Sequence, residues 1–204
     1  MVSDVPAGCA SRTINLRSTT VLCVDKNFQS LEIMCQIMMG FGVERTIRAA
    51  SGDMARSILK VETIDLIVVE ARLPDMSGLD LVKWLRHSRI EPNCYAPVIV
   101  ATSNPSEQTV AAARDSGSNF VIAKPLAAGV LLQRIMWAAR GGRAFVECDT
   151  YVGPDRRWKA TGVPGGGVGR RKEDLSPVLG QATEPNMSQQ AVDTFIKPQR
   201  MSLS

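Results

Sequence analysis

The sequence predicts an α/β protein in which helices cover both faces of a parallel β-sheet. Between residues 19 and 140, short β-branched and aliphatic runs alternate with longer segments whose apolar residues recur at helical spacing. The 204 residues include 45% hydrophobic and 22% charged side chains, a composition typical of a packed core. This composition excludes a wholly disordered chain.

The first two strand–helix pairs occupy residues 21–61. Residues 21–24 are a short apolar run, typical of a buried strand, and the helix that follows, residues 31–39, ends where Gly40 and Gly42 interrupt it. Residues 46–49 then provide the second strand and residues 51–61 the second helix.

The third strand, residues 65–69, is the most hydrophobic and therefore belongs at the centre of the sheet, buried on both faces. A helix over residues 79–86 follows it. Two more strand–helix pairs complete the pattern, at residues 98–101 with 106–116 and at residues 120–123 with 127–140. Together these elements predict a flavodoxin-like (βα)5 sandwich over residues 19–140, preceded by a flexible arm, residues 1–18.

The chain contains no feature that predicts membrane insertion or export. No apolar stretch approaches the roughly 18 residues of a membrane span, and the N-terminus lacks the basic head and apolar run of a signal peptide. Its five cysteines are widely spaced without a C-x-x-C pair, and it has one histidine. These features favour a reducing cytoplasm and argue against a zinc site.

The composition changes after residue 140. Residues 141–175 are rich in glycine and arginine, without sustained periodicity, so we expect no packed core there. Residues 176–204 are polar with isolated apolar positions, and we expect a disordered tail. The net charge of the whole chain is +4, but residues 150–172 alone carry six cations against one carboxylate. This segment should attract anions.

Chemically distinctive residues follow the predicted strands. In open parallel sheets, ligands bind at the carboxyl ends of the strands, where this chain has Asp25 with Lys26, Glu70, Thr102 and Lys124. The runs around them, Val-Leu-Cys-Val-Asp-Lys-Asn, Glu-Ala-Arg-Leu-Pro-Asp-Met-Ser-Gly, Val-Ala-Thr-Ser and Ala-Lys-Pro, occur in a specific order and spacing. In these four motifs the chain resembles the receiver domain of two-component response regulators, the CheY-like fold.

The resemblance implies a role for each pocket residue. Asp25 matches one of two paired acids, Glu70 the phosphoacceptor, Thr102 the phosphoryl-sensing hydroxyl, Lys124 the phosphoryl contact and Phe120 the aromatic switch. Two positions depart from the family: Lys26 replaces the second acid, and Glu70 replaces an aspartate.

These two departures predict a pocket that neither binds Mg²⁺ nor accepts a phosphoryl group. Phosphoryl transfer needs acidic oxygens around a metal ion and a precisely placed carboxylate, whereas the longer glutamate displaces its oxygens by about one bond length. Two interpretations of Glu70 remain open. It imitates a permanent phosphoryl group by pairing with Lys124 or Lys26 and so locks the Thr102 and Phe120 switch, or it belongs to an inert, internally neutralised pocket.

The arginine-rich segment has chemistry suited to guanine. Arginine matches the O6/N7 edge of guanine and also pairs with phosphate, a carboxylate accepts from its N–H donors, and an aromatic ring stacks on the base. Residues 155–158, Asp-Arg-Arg-Trp, offer all three groups, and residues 170–174, Arg-Arg-Lys-Glu-Asp, offer two of them again. The alternatives are a solvated basic surface and a non-specific nucleic-acid binder, although we do not expect a nucleic-acid partner.

A receiver domain followed by Gly-Pro-Asp-Arg-Arg and a second Arg-Arg arm resembles the Cle family, CheY-like proteins whose arginine-rich tail binds cyclic di-GMP as an intercalated dimer. The resemblance implies arginine contacts to guanine edges and phosphates, from Arg156, Arg157, Arg170 and Arg171. It implies carboxylates that accept from guanine N–H groups, Asp155 and Asp174. It implies a ring that stacks on a base, Trp158 or Tyr151.

The same resemblance implies where in the cell the protein acts. Members of that family act at the flagellar motor, where the ligand-loaded protein docks on the motor switch and modulates motility and surface attachment. We therefore expect a non-enzymatic cytoplasmic effector that is recruited to the motor or the flagellated pole. A conventional phosphorylation-driven response regulator is the alternative.

Overall fold

The computed structural model describes residues 15–139, 144–148 and 150–156. Its main sheet has five parallel strands in the order β2-β1-β3-β4-β5. The strands are β1 Thr20–Val24, β2 Arg45–Ala49, β3 Leu66–Glu70, β4 Val98–Thr102 and β5 Phe120–Ala123. The predicted place of the most hydrophobic strand is confirmed, because β3 lies at the centre of the sheet and all five of its residues are buried.

Five α-helices connect and cover these strands. They are α1 Phe28–Gly40, α2 Gly52–Val61, α3 Gly78–His87, α4 Glu107–Asp115 and α5 Ala128–Ala139. Apolar residues of α1 and α5 pack with one face of the sheet, and those of α2, α3 and α4 pack with the other. The predicted flavodoxin-like fold with five strand–helix pairs is thus confirmed. No helix within the described ranges is long and apolar enough to cross a membrane.

Side chains at the carboxyl edge of the sheet begin several helices. The side chains of Asn27, Ser51 and Ser106 accept hydrogen bonds from the backbone N–H three residues ahead, and so cap α1, α2 and α4. Ser77 caps α3 in a similar way, through Leu79 N. Asn27, Ser51 and Ser106 come two to four residues after β1, β2 and β4, so these three loops are short, whereas the loop between β3 and Ser77 is longer.

A β-hairpin follows the main sheet and corrects one prediction. Strands β6 (Phe145–Cys148) and β7 (Tyr151–Pro154) pair antiparallel, although no packed structure was expected after residue 140. Each strand begins with an aromatic residue followed by valine, and two residues connect the strands. This pattern is typical of a hairpin. Residues 157–204 lie outside the described residues.

The hairpin packs against the amino edge of the main sheet. The guanidinium of Arg86, at the end of α3, lies over the Phe145 ring, and Phe145 meets Tyr95 edge to face with ring centres 4.9 Å apart. The backbone of the hairpin also approaches Gly117, where an added Cβ would lie 2.7 Å from Val152 O. Gly117 precedes β5, so the hairpin and the carboxyl-edge pocket lie at opposite edges of the sheet.

Candidate functional site

The four predicted pocket residues on strand ends come together at the carboxyl edge of the sheet. Asp25 directly follows β1, Glu70 ends β3, Thr102 ends β4 and Lys124 directly follows β5. Parallel strands bring these positions to the same edge, as the sequence predicted.

Lys124 forms the centre of the pocket. Its ammonium donates to Asp25 Oδ2 at 2.5 Å and also contacts Glu70 Oε2, so one cation joins two carboxylates. The second oxygen of Asp25 accepts from the backbone N–H of Asn27 at 2.8 Å. The side chains are 1% exposed for Asp25, 8% for Glu70 and 13% for Lys124. The pocket is therefore a largely buried ion-pair triad.

Two opposing effects act on the pKa of Lys124. Burial disfavours the ammonium and by itself would lower the pKa, but the hydrogen bonds to Asp25 and Glu70 favour the charged form. The hydrogen bonds and charges prevail, and the pKa of Lys124 stands above its ordinary value. The triad is thus held with its lysine protonated at neutral pH.

The triad does not fit an Mg²⁺ site. Lys124 pairs with both Asp25 and Glu70, and an exposed lysine, Lys26, follows Asp25 in sequence, so the pocket lacks the several free acidic oxygens that Mg²⁺ prefers. Among the residues that the structure describes, no three His, Cys, Asp or Glu side chains are placed to hold a metal ion. Lys124 neutralises one of the two carboxylate charges, and Lys26 is exposed beside the pocket. Of the two partners predicted for Glu70, the structure shows Lys124.

Gly78 sets how closely α3 approaches the triad. An added Cβ at this position would lie 2.0 Å from Glu70 O, the carbonyl at the end of β3. Gly78 N also donates to Ala71 O at 2.9 Å, so the loop after β3 closes tightly on itself. The sequence shows a glycine in the motif after Glu70 but not this approach, which only the fold reveals.

The structure separates Thr102 from Phe120. Adjacent residues along a strand face opposite sides, and the register pairs Val100 with Val121 and Ile99 with Phe120. Val121 therefore shares the face of Thr102, whereas Phe120 packs on the other face near Trp137, with ring centres 6.1 Å apart. The prediction of a joint Thr102 and Phe120 switch is wrong for this reason.

The start of the arginine-rich segment is attached to the hairpin and to α4. Arg156 Nη1 donates to Asp115 Oδ1 at 2.8 Å, and its guanidinium carbon lies 4.0 Å from the centre of the Tyr151 ring. Tyr151 is 5% exposed, so the prediction that its ring stacks on a guanine does not fit its burial. Asp155 lies in the same segment, and its N–H donates to Ala144 O. The other predicted ligand contacts lie outside the described residues: Arg157, Trp158, Arg170, Arg171 and Asp174.

The fold and the pocket define a class of signalling domain. A family model for the response regulator receiver domain matches residues 21–136, which is more than half of the chain. The chain belongs to this family and is CheY-like in fold.

Similar proteins divide into short and long relatives. The chain is 28% identical over 116 residues to the polar-differentiation response regulator DivK of Brucella ovis, covering 57% of this chain and 92% of DivK. It is 29% identical over 115 residues to the CAI-1 autoinducer sensor kinase/phosphatase CqsS of Vibrio cholerae, covering 56% of this chain. The chain spans only 16% of CqsS and 19% of the sensory/regulatory protein RpfC of Xanthomonas campestris.

Solved structures agree on the fold. A CheY-like receiver domain from Methanospirillum hungatei superimposes with a TM-score of 0.54 at 23% identity, over 60% of this chain and 94% of that chain. The chemotaxis regulator CheY4 of Vibrio cholerae superimposes with a TM-score of 0.54 at 21% identity, over 59% of this chain and 98% of CheY4. CheY of Borrelia burgdorferi, in its complex with CheX, BeF₃ and Mg²⁺, superimposes with a TM-score of 0.52 at 26% identity. The match covers 58% of this chain and 87% of that chain.

Proposed function

We propose that this protein is a non-enzymatic cyclic di-GMP effector whose receiver domain works without phosphorylation. The main observation is the triad, in which Lys124 contacts both Asp25 and Glu70, together with Lys26 at the position where the resemblance implies a second acid. A domain of this family that cannot take its usual input needs another one. The arginine-rich segment, residues 141–175, offers a ligand site with suitable chemistry.

The ligand class follows from the residue types in that segment. Paired arginines bind guanine edges and phosphates, and carboxylates accept from guanine N1–H and N2–H. Cyclic di-GMP presents two guanines and two phosphates in one compact anion, and the two Arg-Arg pairs suit a doubled, intercalated ligand. The positive charge of residues 150–172 favours the encounter.

The proposed destination is the switch of the flagellar motor, in the cytoplasm or at the flagellated pole. The resemblance to arginine-tailed CheY-like effectors supports this part of the proposal, and the relative CheY of Borrelia burgdorferi binds a protein partner, CheX, in its solved complex. Ligand binding would create or expose a surface on the receiver domain for the motor protein and so modulate motility and surface attachment.

Calorimetric titration of the full chain with cyclic di-GMP tests the proposal. We expect submicromolar binding at about two nucleotides per chain, no binding of GTP or cyclic di-AMP, and loss of binding in the double variant Arg156→Ala, Arg157→Ala. Single-stranded DNA is a further control, since binding that ignores guanine and falls steeply with salt would indicate a nucleic-acid binder. Unchanged affinity in the double variant would overturn the proposal.

A phosphorylation-driven response regulator is the second candidate. The observation in its favour is that Glu70 places a carboxylate at the end of the central strand, in contact with Lys124, where the family carries its phosphoacceptor. Incubation with acetyl phosphate and Mg²⁺ should then yield a labelled protein. The double variant Lys26→Asp, Glu70→Asp, which restores three acidic positions, is the positive control; label on the wild type as strong as on this variant would support the second candidate.

A further inference from the structure

Arg156 is held in a fixed orientation by two groups. The Tyr151 ring lies under its guanidinium, 4.0 Å from ring centre to guanidinium carbon, and Asp115 accepts from Nη1 at 2.8 Å. A ring beneath the plane and a carboxylate at its edge together restrict rotation of a side chain that is otherwise very mobile. The Arg156 side chain nevertheless retains 39% exposure, so part of the guanidinium stays accessible.

The support for this orientation is itself rigid. The Tyr151 hydroxyl donates to Pro154 O at 2.6 Å, and Asp155 N donates to Ala144 O at 2.7 Å, which closes the end of the hairpin next to Arg156. Tyr151 is buried between the hairpin and the receiver domain. These hydrogen bonds tie the Tyr151 ring to the end of the hairpin.

Asp115 belongs to the receiver domain rather than to the arginine-rich segment. It ends α4, and its Oδ1 atom also accepts from Arg114 Nε at 3.4 Å. One carboxylate thus stands between two guanidinium groups, at the junction between the folded domain and the proposed ligand segment. This position is separated by 41 residues in sequence from Arg156, so only the fold brings the two together.

We infer that Asp115 is a positioning residue for the guanine nucleotide, acting through Arg156. Tyr151 and Asp115 hold the guanidinium as a flat platform, and a guanine base stacks on its accessible face or pairs with its remaining N–H groups. Because the orientation is fixed before binding, less side-chain entropy is lost when the ligand arrives. The inference rests on the proposed function and adds to it a contribution from the receiver domain.

The same residue also tests the opposite role, in which Asp115 competes with the ligand for Arg156. If the Asp115–Arg156 ion pair only competed with the ligand, removal of the carboxylate would release Arg156 and strengthen binding. Removal would also delete a negative charge beside an anionic ligand, which again favours tighter binding. If Asp115 instead holds Arg156 in place for the ligand, its removal weakens binding despite these two favourable effects. The direction of the change in affinity therefore distinguishes a positioning role from competition.

The experiment is a calorimetric titration of cyclic di-GMP into the full-length variant Asp115→Asn. We expect the affinity to fall about fivefold, the size of effect that an oriented, partly exposed charge pair gives. Asp53→Asn is the matched control, because it removes the same charge from α2 at the opposite edge of the sheet, and it should leave the affinity unchanged. In an Arg156→Ala background, Asp115→Asn should no longer weaken binding.

A second pair of variants tests the ring. Tyr151→Phe keeps the ring but loses the hydrogen bond to Pro154 O, so it should weaken binding less than Tyr151→Leu, which removes the ring and should weaken binding about as much as Asp115→Asn. Unchanged or tighter binding in Asp115→Asn would overturn the inference while leaving the proposed function intact. Failure of the wild type to bind cyclic di-GMP would instead overturn the proposed function itself.

Discussion

The guanidinium carbon of Arg86 lies 5.4 Å from the centre of the Phe145 ring and joins the hairpin to the receiver domain. Arg86 is 3% exposed, and its N–H groups donate to three carbonyl oxygens and to Asn119 Oδ1. The three carbonyls belong to Gly117, Cys94 and Ala96, at 3.0, 2.6 and 2.9 Å. Burial lowers the pKa of Arg86 to about 10, so the side chain is charged at neutral pH and needs all these acceptors.

Replacement of this arginine should loosen both the domain and the hairpin. Arg86→Met leaves several buried carbonyls without donors, and we expect the free energy of unfolding to fall by about 3 kcal/mol. Amide exchange of β6 and β7 should accelerate relative to that of β3. Lys83→Met, on the exposed side of the same helix, is the control and should change stability by less than about 0.5 kcal/mol. Equal losses in the two variants would contradict this role of Arg86.

Lys124 should be essential to the stability of the pocket. Lys124→Met leaves Asp25 and Glu70 buried without their shared cation, and breaking such a buried pair costs about 3 kcal/mol. Urea unfolding measures the loss. Lys26→Met removes an exposed lysine beside the same pocket and should have little effect, so a comparable loss there would show that the ion pairs of Lys124 are not the cause.

The contribution of Lys124 should disappear at alkaline pH. Its pKa in the folded protein stands above the ordinary value of 10.5, so the stabilisation is complete below that value. It is lost as the pH rises through the folded pKa. The gap in unfolding free energy between the wild type and Lys124→Met should therefore be constant from pH 7 to 9 and smaller at pH 11. A gap that widens at pH 11 would have the wrong sign.

Gly78 should tolerate no side chain. Gly78→Ala places a Cβ against the Glu70 carbonyl, and because the obstacle is backbone, the start of α3 must move. We expect a loss of about 2–4 kcal/mol by thermal or urea unfolding. In Gly129→Ala, on α5, the added Cβ meets nothing within 4 Å, and this variant should be neutral or slightly more stable. A neutral Gly78→Ala would show that the loop after β3 yields easily.

The fold and the pocket were predictable because their signals are local. Strand runs and helical spacing alternate clearly in residues 19–140, and the parallel sheet collects Asp25, Glu70, Thr102 and Lys124 at one edge whatever their separation in sequence. The face of Phe120 was not predictable from a motif alone, because a shift of one residue in a strand moves a side chain to the other side of the sheet.

The hairpin and its contacts needed the tertiary structure. Residues 145–148 and 151–154 are two short runs separated by two residues, which is a hairpin signal, but the glycines that follow obscured it. Neither Asp115 nor Arg86 stands in a motif, and each acquires its role only where distant segments meet. Long-range contacts of this kind leave no periodicity in the sequence.

The triad and the hairpin lie at opposite edges of a sheet whose strands are mostly five residues long, or roughly 16 Å. Under the proposed function, the pocket at the carboxyl edge takes no phosphoryl group, and the ligand binds next to the hairpin at the amino edge. The protein then has one edge that binds a ligand and one edge that holds only the ion-pair triad. Engineering either edge, by restoring acids at one or exchanging the hairpin at the other, should leave the opposite edge undisturbed.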